Sequence, residues 1–128
     1  MTFLIVEDSR TTRNLIKSYL SEIKIEEKCD FYEAEDGENA LSILKTRYVN
    51  FVLLDLNLSS KMTGLDILKV IRSTDKLKNL PVVIITGESD KLNVIETIKH
   101  GANDFISKPI DKKLFFEKIQ KAALNVKK

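Results

Sequence analysis

Five times along the chain a short apolar run gives way to a longer segment whose apolar residues recur every three or four positions. The short runs cover residues 3–6, 30–34, 51–56, 80–86 and 102–107. The densest, Phe51 to Leu54, predicts a strand buried on both faces. The run 30–34 is less apolar and is predicted nearer a sheet edge. Pro81 falls near the start of the fourth run, where a missing N–H is tolerated.

Between the runs, Leu15, Ile16, Tyr19, Leu20 and Ile23 repeat at helical spacing, as do Ala40, Leu41 and Leu44, and Leu65, Leu68 and Ile71. Val94, Ile95 and Ile98 mark a fourth helix, stopped by Gly101. Phe115, Ile119, Ala122 and Val126 mark a fifth. Ser9, Asp36, Asp90 and Asp111 stand where helix caps belong. Strand and helix alternate five times without linker or repeat. That predicts one α/β domain over residues 1–128, a five-stranded parallel sheet with helices on both faces and right-handed crossovers.

Composition narrows the function classes. With 43% apolar and 31% charged residues the chain reads as soluble and globular. A net charge of +2 gives no argument for nucleic acid. Cys29 is the single cysteine and His100 the single histidine. An internal disulfide is therefore excluded, a zinc site is not expected, and Cys29 is predicted to pack. No stretch approaches the length of a membrane span, and the N-terminus lacks a basic leader. The expected location is cytoplasmic, without membrane association.

In a parallel sheet of this kind ligands bind at the carboxyl ends of the strands. The first run exits into Glu7 and Asp8, the third into Asp55, the fourth into Thr86 and the fifth into Lys108. Three acids, a hydroxyl and a lysine thus converge on one rim. Each alone is an ordinary turn residue; Asp55 alone could simply start a turn or cap the next helix. Three crowded carboxylates repel, and at least one pKa rises unless positive charge compensates. Lys108 supplies one such charge. A hard divalent cation with oxygen ligands, such as Mg2+, would supply the rest. A carboxylate beside Mg2+, a lysine and a hydroxyl is equipped to attack phosphorus and form an acyl phosphate.

Glu7-Asp8, the central Leu-Leu-Asp with Asp55, Ile-Thr-Gly with Thr86, and the segment from Gly101 to Pro109 together resemble a response-regulator receiver domain, similar in length to the single-domain chemotaxis regulators. The resemblance covers essentially the whole chain. It implies a flavodoxin-like (βα)5 fold with strand order 2-1-3-4-5, which sets strands one and three side by side. It implies a phosphorylation-dependent switch of a two-component system rather than an enzyme, though one that assists its own phosphorylation and dephosphorylation. Asp55 is then the phosphoacceptor. Asp8 and Asp55 bind Mg2+ directly, Glu7 through water, and the Asn57 backbone carbonyl is a further ligand. Lys108 pairs with Asp55 and later with the phosphoryl oxygens. Thr86 bonds the phosphoryl group and moves on activation, and Phe105 is the switch aromatic. Pro109 follows a cis bond. Asn57 and Glu88 tune dephosphorylation. The implied partners are a histidine kinase or phosphotransfer protein and an unnamed downstream protein that binds helix four, strand five and helix five. The chain is expected as a monomer, with a phosphorylation-dependent dimer as an option.

Other readings stay open. Phe105 also fits plain core, Asn57 and Glu88 also fit plain surface, and the lysines from Lys112 to Lys128 read as a solvated face. A small phosphatase with an aspartyl nucleophile, or a nucleotide-binding protein, shares the fold. A haloacid-dehalogenase-type phosphatase wants an acid where Asn57 stands, however, and a dinucleotide binder wants glycines absent after strand one. The loop Leu58 to Thr63 departs from the family pattern. It has no proline, and Gly64 follows Asp55 by nine positions where eight is common.

Overall fold

Phe3, Leu4, Ile5 and Val6 are fully covered from water, and they form most of β1, Thr2–Val6. In chain order follow α1 Arg10–Glu22, β2 Asp30–Ala34, α2 Gly37–Thr46, β3 Phe51–Asp55, α3 Gly64–Ser73, β4 Val82–Thr86, α4 Lys91–Lys99, β5 Asp104–Ser107 and α5 Lys112–Val126. The structure is a computed structural model. It describes residues 1–23, 29–58, 61–87 and 91–126, with residues 91 and 124–126 as backbone alone. Glu88 and the cap residue Asp90 lie outside the described residues, as do the side chain of Val126 and both residues of the Lys127-Lys128 pair.

All strand pairs are parallel, in the order β2-β1-β3-β4-β5. Alternate residues of each strand face opposite sides, and each side buries its own core. On one side Leu4, Val6, Val52, Leu54, Val82 and Ile84 pack under α2 and α3. On the other, Phe3, Ile5, Phe51, Leu53, Val83 and Ile85 pack under α1 and α5. Burial on both faces is why β3 and β4 read as unbroken apolar runs. β2 and β5 are the edges.

β1 begins one residue early, at Thr2, and three other strand boundaries differ from the sequence expectation. β3 ends at Asp55 and not at Leu56. β4 starts at Val82: Pro81 has no N–H, and the Leu80 N–H closes a turn on the Leu77 carbonyl (2.9 Å). β5 starts at Asp104, because the Ala102 N–H is still committed to the Thr97 carbonyl of α4 (2.9 Å). Leu15, Ile95 and Ile98 do not face the core. They are 39%, 50% and 43% exposed, and α1 buries Arg13, Ile16 and Leu20 instead.

Local chemistry explains the helix ends. The Ser9 hydroxyl accepts from the Thr12 N–H, and Asp36 and Asp111 accept from the Asn39 and Leu114 N–H groups. Thr63 and Asp66 form a reciprocal capping box that starts α3. Gly101 ends α4 with φ +99°, a conformation that a side chain strains. Arg72 of α3 holds this corner by donating to the Gly101 and Leu80 carbonyls.

Candidate functional site

Because β1 and β3 are neighbours, the residues just past Val6 face the last residue of β3. Glu7, Asp8 and Asp55 each offer a carboxylate oxygen, and these oxygens lie within 4.8 Å of one another. Glu7 and Asp55 are 1% and 3% exposed, while Asp8 is exposed. Two carboxylates are thus covered as well as crowded, a costly arrangement for negative charge.

Lys108 answers part of that charge. Its ammonium lies 2.7 Å from Glu7 Oε1 and 3.4 Å from Asp55 Oδ2, so it bridges both acids and sits nearer Glu7. The backbone sets its position. β5 runs beside β4 with Ser107 opposite Thr86, and the Lys108 N–H donates to the Thr86 carbonyl (2.7 Å). The next peptide bond, Lys108–Pro109, is cis. Burial alone would pull the Lys108 pKa down, but Glu7 and Asp55 more than offset it and the net shift is upward. One lysine does not settle the cluster: Glu7 is pushed up to about 7, first by burial and then by its contact with Asp8, against Lys108 and the Ser9 N–H. That N–H donates to Glu7 Oε2 at 3.1 Å.

Asp55 Oδ1 accepts from the Asn57 N–H at 3.1 Å, which orients the carboxylate at the strand exit. Thr86 is buried, and its hydroxyl donates over 3.3 Å to the Gly87 carbonyl. Phe105 is half-buried on the core side of α2 and α3. Its ring lies 4.3 Å beneath the Lys118 ammonium, which also donates to the Phe105 carbonyl and pairs with Asp104 at 3.1 Å. Lys118 is therefore no member of a merely solvated face. Lys112, Lys113 and Lys121 are exposed as expected, Lys112 in a surface pair with Glu22 at 2.7 Å. Asn57 is exposed.

Three residues of this region have roles that the sequence reading did not assign. A Cβ on Gly64 would stand 2.5 Å from the Asp55 carbonyl oxygen, so only glycine lets α3 begin against the exit of β3. The Gly64 N–H donates to the Leu56 carbonyl at 3.2 Å. Lys118 and Arg13 are the others. A cation in register with Ile16 and Leu20 on an apolar helix face was the available signal for Arg13.

The sequence pattern of the response regulator receiver domain matches residues 3–120. The chain belongs to the response-regulator receiver family. This receiver is 36% identical over 121 residues to the chemotaxis protein CheY of Pseudomonas aeruginosa, covering 94% of both chains. It is 38% identical to CheY1 of Helicobacter pylori, again over 94% of each. Among solved structures it resembles the receiver domain of NtrX from Brucella abortus (30% identical, TM-score 0.84, 95% of this chain and 98% of that one). It also resembles the Mn2+-bound form of the response regulator Rcp1 (28% identical, TM-score 0.78, covering 94% and 89%). A receiver like the chemotaxis regulators is a signalling component of two-component systems, and the fold here is the flavodoxin-like receiver fold. No described helix is long and apolar enough to cross a membrane.

Proposed function

We propose that the chain is a phosphorylation switch. Asp55 accepts a phosphoryl group from a histidine kinase or phosphotransfer protein, and the change is read by a partner at α4, β5 and α5. The observation that carries this reading is the convergence of Glu7, Asp8, Asp55 and Lys108 at the carboxyl ends of β1, β3 and β5.

The donor set fits a hard cation. Three carboxylates bring more negative charge than Lys108 balances, and Glu7, pushed up to about 7 mainly by burial and then by Asp8, is a carboxylate that a cation would help to ionise. Asp8 and Asp55 would hold Mg2+, with Glu7 through water and the Asn57 carbonyl as a further ligand. When bound, Mg2+ supplies positive charge to the phosphoryl oxygens. An Asp55 oxygen attacks phosphorus, the bond from phosphorus to the donor imidazole nitrogen breaks, and its electron pair stays on that nitrogen. In this reading Lys108 follows the charge onto the phosphoryl oxygens, and Thr86 donates its hydroxyl there. Asn57 and Glu88 are assigned the tuning of hydrolysis. Exposed Leu92, Ile95 and Ile98 on α4 support the partner face, because large apolar side chains in such a row gain by being covered.

Acetyl phosphate tests the chemistry without a kinase. With Mg2+, intact mass should rise by one phosphoryl group; chelation of the metal or Asp55→Asn should abolish the gain. Equal labelling of the Asn variant would refute the assignment.

A further inference from the structure

Arg13 is the one buried cation among the described residues that the switch chemistry leaves unused. It is 6% exposed. Its Nη1 donates to the Glu7 carbonyl oxygen at 2.6 Å, its Nε to Glu33 Oε1 at 3.0 Å, and its Nη2 lies 3.6 Å from Glu35. Lys17 braces the same Glu33 from the next turn of α1, at 3.0 Å.

The place of this bond matters. The β1 ladder ends at Val6, paired with Ala34 on one side and Leu54 on the other. Glu7 is the first residue past it. Its N–H still reaches the Ala34 carbonyl at 3.0 Å, while its carbonyl takes a guanidinium donor in place of a strand. A buried carbonyl needs such a partner. The guanidinium is a rigid fork whose Nε edge is fixed by Glu33, so the direction of its Nη1 is fixed too. The peptide it grips joins Glu7 to Asp8.

We propose that Arg13 is a positioning residue of the acid cluster: by clamping the Glu7 carbonyl to α1 and β2 it sets how Glu7 and Asp8 are presented to Asp55. The inference rests on the reading of that cluster as a Mg2+ site. Charge and positioning predict opposite signs, which makes it testable. Removing a nearby cation by itself strengthens Mg2+ binding, whereas loosening the backbone under two ligands weakens it.

The test is Mg2+ affinity by titration calorimetry for wild type, Arg13→Met and Arg13→Lys, each confirmed folded by NMR, with hydrogen exchange of the Glu7 amide read without metal. Arg13→Met should raise the Mg2+ Kd by about tenfold, as for other residues that orient metal ligands. Arg13→Lys keeps the charge but loses the fork, and should stay weakened; it carries the test if the Met variant does not fold. The Glu7 amide should exchange faster in either variant. Equal or tighter Mg2+ binding by a folded variant, or full recovery in Arg13→Lys, would overturn the inference. Absence of Mg2+ binding by wild type would instead strike the site itself, and unchanged Glu7 exchange would then dispose of the clamp independently.

Discussion

Glu7 keeps its proton to about pH 7 because burial and the Asp8 carboxyl outweigh Lys108 and the Ser9 N–H. The folded value stands above the ordinary carboxylate value of 4.5. The stability this group contributes to the metal-free protein is therefore fully present below about 4.5 and is lost as pH rises through about 7. A bound cation inverts the preference, since it favours the ionised carboxylate. The Mg2+ Kd should accordingly fall by about tenfold between about pH 6 and about pH 8. Calorimetric titrations at the two values check this. A Kd that does not move would mean that Glu7 is already ionised at the lower pH or takes no part. Glu33 is the opposite case: Lys17 and Arg13 hold it below the usual range, and its stabilising contribution fades only in acid.

In the proposed switch, a change at Asp55 would reach the surface through β4 and β5. The Thr86 hydroxyl has a long bond to a neutral carbonyl. A phosphoryl oxygen offers a charged acceptor, worth about 1.5–3 kcal/mol against about 1 for the neutral bond. If Phe105 turns inward it gives up its place under Lys118, a contact worth about 0.5–1 kcal/mol at a partly exposed site. The charged bond is the larger, so phosphorylation should drive the pair over. Thr86→Ala should leave phosphorylation of Asp55 largely intact but uncouple α4, β5 and α5. NMR spectra of wild type and variant, each with beryllofluoride as phosphoryl mimic, should differ around Val94, Phe105 and Phe115. Identical shift changes in both would eliminate the relay through Thr86.

Across the whole molecule, what the sequence made legible was whatever one element carries by itself. Phe51–Asp55 announced a buried strand because each of its apolar residues is covered on its own face, and the exits of β1, β3, β4 and β5 announced a site because parallel strands share one end. Burial of Glu7 and Asp55 was not legible, since it depends on groups distant in the chain, Lys108 bridging both acids among them. Nor were Arg13 and Lys118, whose partners stand on other elements, Arg13 meeting Glu33 across the α1–β2 connection and Lys118 meeting Asp104 and Phe105 from α5. Helix periodicity also misplaced Leu15, Ile95 and Ile98, because a stripe of apolar residues does not say how wide the covering surface is. The proposed chemistry at Asp55 is the claim that ties these features together. An acyl phosphate is reduced by borohydride to an alcohol, which marks the modified carboxylate within the peptide chain. Trapping after acetyl phosphate and Mg2+, followed by peptide mass spectrometry, should find the alcohol at position 55 and at no other acid. An alcohol at Asp8 or Glu7, or at none of the three, would contradict it.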